Sequence, residues 1–218
     1  MKDTDRPSAD HSLEQFLMTP ESLKTQAERV GPLLAGKRVF FLGDDDHLSP
    51  LLAGDFGVKP VVYEIDERVR ASLSSQFDRF RIEGAIVVAY DARNPIVIDE
   101  PCEAFYINPP YSSKSDGLGI KVWIMRALQA CQEKSEGVLV MPWNGGNISA
   151  AWVGDVQASI ERFLVNNGLS ITGLDHNVSS YENVNDSGLL SSNVYLERTN
   201  TELHQSVEVG SLYNYSQS

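Results

Sequence analysis

RVFFLGDDDHLSP, residues 38–50, decides how the rest of the chain is read. Its apolar run shows no alternation with polar residues, which marks a strand buried on both faces, as in a parallel sheet covered by helices. Gly43 ends the run at a turn, and a helical segment begins near His47. Between them stand three consecutive carboxylates, Asp44, Asp45 and Asp46, where many α/β enzymes place small residues that approach a negatively charged cofactor.

The same apolar signal recurs along the chain. PVVYEID (60–66), AIVVAYD (85–91), EAFYINPPY (103–111) and GVLVMPW (137–143) read as four more strands. Helical spacing separates them, in TPESLKTQAERVGPLLAGK (19–37), ERVRASLSSQF (67–77), GIKVWIMRALQACQEK (119–134) and AAWVGDVQASIERFLVNNG (150–168). Thr19 is placed to cap the first helix, with Pro20 at its first position and Glu21 in its first turn, and Gly168 closes the last. After it, LSITGLDHNVSSYENV (169–184) and GLLSSNVYLERT (188–199) read as two strands joined by Asn-Asp-Ser-Gly turn chemistry with no helix between. Alternating strands and helices predict an α/β fold with a mostly parallel sheet, and the last pair predicts a C-terminal antiparallel hairpin. That layout resembles the Rossmann-like sheet of class I AdoMet-dependent transferases. Residues 1–12 are expected to be a disordered N-terminus, 13–199 a single catalytic domain and 200–218 a polar tail.

A chain of 218 residues buries roughly 70% of its unfolded surface, so one core suffices without metal or disulfide staples. No apolar stretch approaches the roughly 20 residues needed to cross a bilayer, and the polar start has no secretory core, so a cytoplasmic protein without a membrane partner is expected. Cys102 and Cys131 form no metal or redox spacing and read as reduced packing residues. His11, His47, His176 and His204 are too dispersed for a metal cluster, so no metal is expected, and His47 reads as a surface residue. Trp123, Trp143 and Trp152 sit in apolar contexts and read as core or interface. Thirty acidic against eighteen basic residues give a net charge of −12 with no basic run, which opposes binding to nucleic acid and attracts cations.

Open sheets of this kind bind ligands at the carboxyl ends of their strands. Four of those ends carry polar clusters: Gly43 to Asp46, Glu64 to Asp66, Asp91 with Ala92, and Asn108 to Tyr111. A carboxylate closing the second strand accepts two ribose hydroxyls at once, so Glu64 is the first candidate and Asp66, beyond Ile65, the second. Each acid also has a capping alternative, since Asp and Glu after a strand often begin the next helix. One cap is needed after the first strand, and three acids exceed that need.

NPPY (108–111) is the most specific short motif. In amino-group methyltransferases acting on nucleic acid, Asn or Asp before Pro-Pro and an aromatic forms a rigid turn. Its side-chain amide and a backbone carbonyl accept hydrogen bonds from the target amine, and the prolines fix φ and remove competing donors. PWNGGN (142–147) can border the acceptor site or be a plain turn, and Asp175, Tyr181 and Glu182 can reach over the pocket from the hairpin.

TPESLKTQAERVGPLLAGKRVFFLGDDDHLSPLLA, followed by VVYEIDERV and YINPPY, resembles the catalytic domain of branched-chain polyamine synthases, the bis(aminopropyl)spermidine synthases. The resemblance spans roughly residues 15–145, with GDDD its most specific element. Two features depart from the family pattern. Its Pro-Pro turn is commonly preceded by Asp and often followed by Glu, where Asn108 and Tyr111 stand here, and no counterpart of the extra N-terminal domain of longer members is expected.

The resemblance implies decarboxylated S-adenosylmethionine as cofactor, a polyamine or other small cationic amine as acceptor, and an aminopropyltransferase acting in polyamine biosynthesis. Acids at the first strand end repel the carboxylate of intact AdoMet and attract the propylamine cation of the decarboxylated form. Implied around the reacting nitrogen are Asp44, Asp45, Asp46 and Asn108, with Tyr111 walling the acceptor channel. Gly43, Asp44, Glu64, Ile65, Asp66, Asp91, Ala92, Asn108 and Pro109 border the cofactor. Two other functions stay open: an AdoMet-dependent amino-group methyltransferase, for which NPPY keeps a nucleic-acid substrate in play, and a catalytically silent AdoMet-fold protein. A homodimer is also open.

Overall fold

The structure, a computed structural model, describes residues 6–110, 117–143, 150–182 and 190–199, with the backbone alone for 150–153. Tyr111, the glycines of PWNGGN, the hairpin turn and residues 200–218 therefore lie outside the described residues, as does the side chain of Trp152. In chain order the elements are α1 (Pro20–Leu34), β1 (Arg38–Leu42), α2 (Leu48–Phe56), β2 (Lys59–Glu64), α3 (Glu67–Phe80), β3 (Ile86–Ala89), β4 (Cys102–Ile107), α4 (Leu118–Ala130), β5 (Cys131–Met141), α5 (Ala150–Asn166), β6 (Leu169–Ser180) and β7 (Leu190–Arg198).

The strands form one seven-stranded sheet in the order β3-β2-β1-β4-β5-β7-β6. The first five are mutually parallel, β7 runs antiparallel to β5, and β6 pairs antiparallel with β7. This is the α/β sheet with a terminal antiparallel pair that the sequence predicts. The chain winds from β1 out to β3, then returns to the other side of β1 at β4, so strand order reverses between β1 and β4. That reversal opens a crevice at their carboxyl ends.

Continuous apolar strands follow from burial on both faces. In β1, Val39 and Phe41 join the core beneath α1, α2 and α3, whereas Phe40 and Leu42 join the core beneath α4 and α5. The Thr19 hydroxyl accepts the Ser22 amide at 3.2 Å and so caps α1, with Pro20 at its first position. Cys102 and Cys131 are free, buried and paired in register between β4 and β5. Among the described residues no helix is long and apolar enough to cross a membrane.

Two expectations are corrected. The helix predicted to run through Lys134 stops at Ala130, and the fifth strand, predicted from Gly137, begins at Cys131. The cause is tertiary: Arg198 donates to the carbonyls of Leu128, Cys131 and Gln132, ending the helix, while Cys131 pairs with Cys102. His47 is buried rather than on the surface, with its Nδ1 2.7 Å from Gln76 Nε2.

Packing across the sheet is tight where β5 passes β4. A Cβ on Gly137 would stand 2.1 Å from the Phe105 ring. Gly137→Ala is expected to lower stability by about 1–3 kcal/mol through overpacking, read as a lower urea midpoint with an unchanged m-value. An unshifted midpoint would show that Phe105 moves aside freely.

Candidate active site

The crevice at the ends of β1 and β4 is a cleft with about 670 Å³ of empty space, part of it open to solvent. Its floor is Leu42, Gly43 and Asp45 after β1, with Glu64 and Ile65 after β2. Tyr90 and Ala92 follow β3, and Asn108, Pro109 and Pro110 follow β4. Trp123 of α4, Tyr63 of β2 and Tyr181 at the end of β6 supply aromatic walls, and Leu13 to Phe16 form a roof. Among the described lining residues there is no Lys, Arg or His.

Gly43 is fixed by its surroundings. It has φ +69°, its amide donates to the Tyr63 carbonyl at 2.8 Å, and a Cβ there would lie 2.8 Å from Trp123 Cη2. The left-handed backbone and the indole both require glycine.

The three acids that follow have three different environments. Asp44 accepts from the amides of Leu48 and Ser49 and from the Ser49 hydroxyl, so it provides the one cap that α2 needs. Asp46 accepts from the Met18 amide at 2.6 Å and from Asn108 Nδ2 at 3.3 Å, with Arg6 Nη1 at 3.7 Å. Asp45, half-buried, is the member of the trio that lines the cleft. Burial, then the charges of Asp46, Glu64 and Asp44, push its carboxyl well above the usual carboxylate range. Burial also pushes Asp44 up to about 8 and Asp46 up to about 6, against the hydrogen bonds each accepts.

Glu64 is 4% exposed. Its two oxygens accept the Asp44 amide at 3.0 Å and the Asp66 amide at 2.8 Å, tying the ends of β1 and β2 together beside the cleft. Burial raises its pKa despite these bonds. The Ile65 amide also favours the charged form, and the carboxylate keeps a lone pair for a ligand hydroxyl.

Asp66 lies outside the lining and caps α3. It accepts from Arg68 and, at 3.1 Å, from Gln15 of the roof. Burial opposes its ionisation, but the hydrogen bonds from Arg68 and Gln15 outweigh it and hold the carboxyl below its ordinary value. Asp91 likewise sits outside the lining, held low by its bonds to Arg93. The structure thus gathers Gly43, Asp45, Glu64, Ile65, Ala92, Asn108 and Pro109 at one cleft. Asp44 and Asp46 stand behind it, and Asp66 and Asp91 at its margin.

The roof and the aromatic walls are the parts that sequence reasoning missed. Residues 6–12, expected to be disordered, lead into a short turn at His11–Leu13, and Arg6 donates to the Met18 carbonyl and to Glu182. Met18 bridges to Tyr181. Of the hairpin candidates, Tyr181 reaches the cleft, Glu182 pairs with Arg6, and Asp175 bonds the Tyr195 hydroxyl away from the cleft. Trp123 walls the cleft instead of serving the core alone, whereas Trp143 is buried in the core as expected. Helical spacing gave Trp123 no signal, because an indole facing a pocket and one facing a core share the same periodicity.

A sequence model of the branched-chain polyamine synthase A C-terminal domain matches residues 2–202. The chain belongs to that family. It is 29% identical over 184 residues to an uncharacterized protein of Methanocaldococcus jannaschii, covering 81% of this chain and 43% of that one. Among solved structures it is similar to the branched-chain polyamine synthase C9 mutein from Thermus thermophilus, in complex with N4-aminopropylspermidine and 5'-methylthioadenosine. That likeness has a TM-score of 0.78 and 26% identity over 98% of this chain and 66% of that one. The chain therefore spans under half of the curated relative and just under two thirds of the synthase. A putative RNA methyltransferase from Pyrococcus horikoshii shares the fold, with a TM-score of 0.67 and 17% identity over 90% of this chain and 92% of that one.

Two measurements test the site as built. Gly43→Ala imposes backbone strain of about 1–3 kcal/mol besides the Trp123 clash. It is expected to weaken 5'-methylthioadenosine binding roughly tenfold or more by calorimetry, and full-strength binding would detach Gly43 from the ligand site. The acids also set a pH dependence. Between the ordinary value of 3.8 and their raised values of about 6 and about 8, Asp46 and Asp44 keep protons in the native protein that the unfolded chain has released. Their contribution is therefore present at low pH and is lost as pH rises through that window. The urea midpoint is expected to fall from about pH 5 to about pH 8, less steeply in Asp45→Asn. A midpoint that rises over this range would contradict the buried-acid picture.

Proposed function

We propose that the protein transfers the aminopropyl group of decarboxylated S-adenosylmethionine to an amine nitrogen of a polyamine. The observation that carries this reading is Asp45, a carboxylate lining a cleft whose described residues include no basic side chain, with a pKa raised by burial and then by the neighbouring acids. Such a site gains most from a cation and repels an anion. Family membership supports the reading, as does the pairing of a branched polyamine with methylthioadenosine in the Thermus thermophilus synthase.

The residues fit the donor. Glu64 receives a ribose hydroxyl on its remaining lone pair, Tyr90 and Ala92 border the adenine, and Gly43 lets the backbone approach beneath Trp123. The sulfonium supplies the leaving group. Asp45 in its ionised form accepts a proton from the acceptor ammonium and so frees the lone pair, and its raised pKa makes that form a stronger base than an ordinary carboxylate. A C–N bond forms at the propyl methylene and its C–S bond breaks, the electron pair leaving on methylthioadenosine. The protein's part is chiefly to align the groups and to take the proton.

A second reading keeps the same cleft and proton acceptor but moves a methyl group, favoured by Asn108 followed by Pro109 and Pro110. Product analysis separates the two. With decarboxylated AdoMet and spermidine, methylthioadenosine is the expected product, and with AdoMet little S-adenosylhomocysteine is expected. The reverse pattern would overturn the aminopropyl reading, and no product from either donor would favour a silent binding protein. Glu64→Ala is expected to weaken methylthioadenosine binding by roughly 1.5–3 kcal/mol while leaving the fold intact. Unchanged calorimetry would remove Glu64 from the ribose site.

A further inference from the structure

We infer that Asp46 is a positioning residue, whose carboxylate fixes which end of the Asn108 amide faces the cleft and ties that turn to the roof. This inference rests on the proposed attack of an amine nitrogen and holds for aminopropyl or methyl transfer alike. Asp46 is 4% exposed and stands outside the cleft lining, so it acts through its neighbours. Its two oxygens serve different elements. Oδ1 accepts the Met18 amide at 2.6 Å, behind the roof residues Leu13 to Phe16, and Oδ2 accepts Asn108 Nδ2 at 3.3 Å.

The neighbouring acids make no such bridge. Asp44 is committed to the start of α2, and Glu64 to the amides of Asp44 and Asp66. The end of β1, the turn after β4 and the roof therefore meet at Asp46. Met18 is held a second way, through its bridge to Tyr181, while Leu17 accepts the Glu182 amide at 2.7 Å.

The chemistry turns on the polarity of an amide. An ionised carboxylate only accepts hydrogen bonds, so Asn108 must present its NH2 to Asp46. The other end of the amide, the carbonyl Oδ1, is then the accepting end, and Asn108 is one of the residues that line the cleft. An amine about to attack carbon needs an acceptor for its N–H and a lone pair left free. The orientation inferred from the Asp46 bond would supply the acceptor, and the reversed amide would offer the nucleophile a competing donor.

Asp46→Asn should reverse that orientation without removing the roof bond, because its own Oδ1 still accepts from Met18 and its NH2 now requires the oxygen of Asn108. With the donor and acceptor that the wild type turns over, kcat is expected to fall on the order of a hundredfold, the scale of a misplaced reacting group. The dissociation constant of 5'-methylthioadenosine should stay within about twofold. The exchanged pair Asp46→Asn with Asn108→Asp restores one donor facing one acceptor and an oxygen toward the cleft, so kcat should recover at least tenfold over Asp46→Asn. Loss in the exchanged pair equal to the product of the two single losses would overturn the inference, since it would show no coupling.

A measurement without turnover keeps the two proposals apart. In the 15N spectrum of the wild-type protein, the Asn108 side-chain NH2, assigned from its disappearance in Asn108→Asp, is expected to show one proton shifted downfield by the carboxylate. Both protons at the positions of a solvent-exposed amide would overturn the inference, whether or not transfer is seen. A protein that makes neither nucleoside product yet shows the shifted proton would sink the proposed activity and leave Asp46 as the orienting group.

Discussion

Packing three carboxylates side by side behind β1 is the constraint on which the rest of this molecule depends. Each would be expensive to hold as a charge away from water without a partner. Asp44 is offset by the amides that open α2, and Asp46 by the Met18 amide, the Asn108 amide and nearby Arg6. Both compensations shape the cleft, because one starts a helix behind it and the other holds its roof and its Pro-Pro turn. Asp45 lines the cleft with a carboxyl pushed well above its ordinary range by burial and then by the neighbouring acids, and a bound cation would offset both. The proposed specificity is thus the remainder left after two of three acids are put to structural use.

The fold was legible because its evidence is local. Doubly buried strands read as unbroken apolar runs, and the positions of β1 to β4 follow from VFFL, VVYE, IVVA and EAFYI. The boundary between α4 and β5 was illegible, because ACQEK suits a helix and is drawn into strand by Arg198 and Cys102, distant in sequence. The acidic strand ends were visible as a set, since topology delivers them to one edge. Their division of labour was not visible. Whether Asp66 faces a ligand or caps α3 depends on Arg68 and Gln15, and whether Asp46 touches a substrate depends on Met18, 28 residues earlier. The roof escaped notice for a related reason: LEQF carries no motif, and it becomes part of the site through the anchors on either side of it.

The sheet itself does not choose the chemistry. The same architecture underlies a polyamine synthase and a putative RNA methyltransferase, so any difference in group transferred resides in side chains at the strand ends. Here the decisive ones are few. On the proposed reading, Glu64 and Ala92 would suit any adenosyl donor, whereas Asp45 would discriminate by charge at the donor's tail, and Asn108 with Asp46 would set the polarity met by an incoming amine. A carboxylate at that place would be an economical way to favour one donor over another, because it rejects the acid and attracts the amine with the same charge.

That claim is tested most directly by the dissociation constants of decarboxylated AdoMet and intact AdoMet, measured side by side for the wild type and Asp45→Asn at low and moderate salt. The wild type is predicted to prefer the decarboxylated donor, with the preference shrinking as salt rises and collapsing in Asp45→Asn, mainly through tighter binding of intact AdoMet. A preference that survives the substitution unchanged would contradict the account.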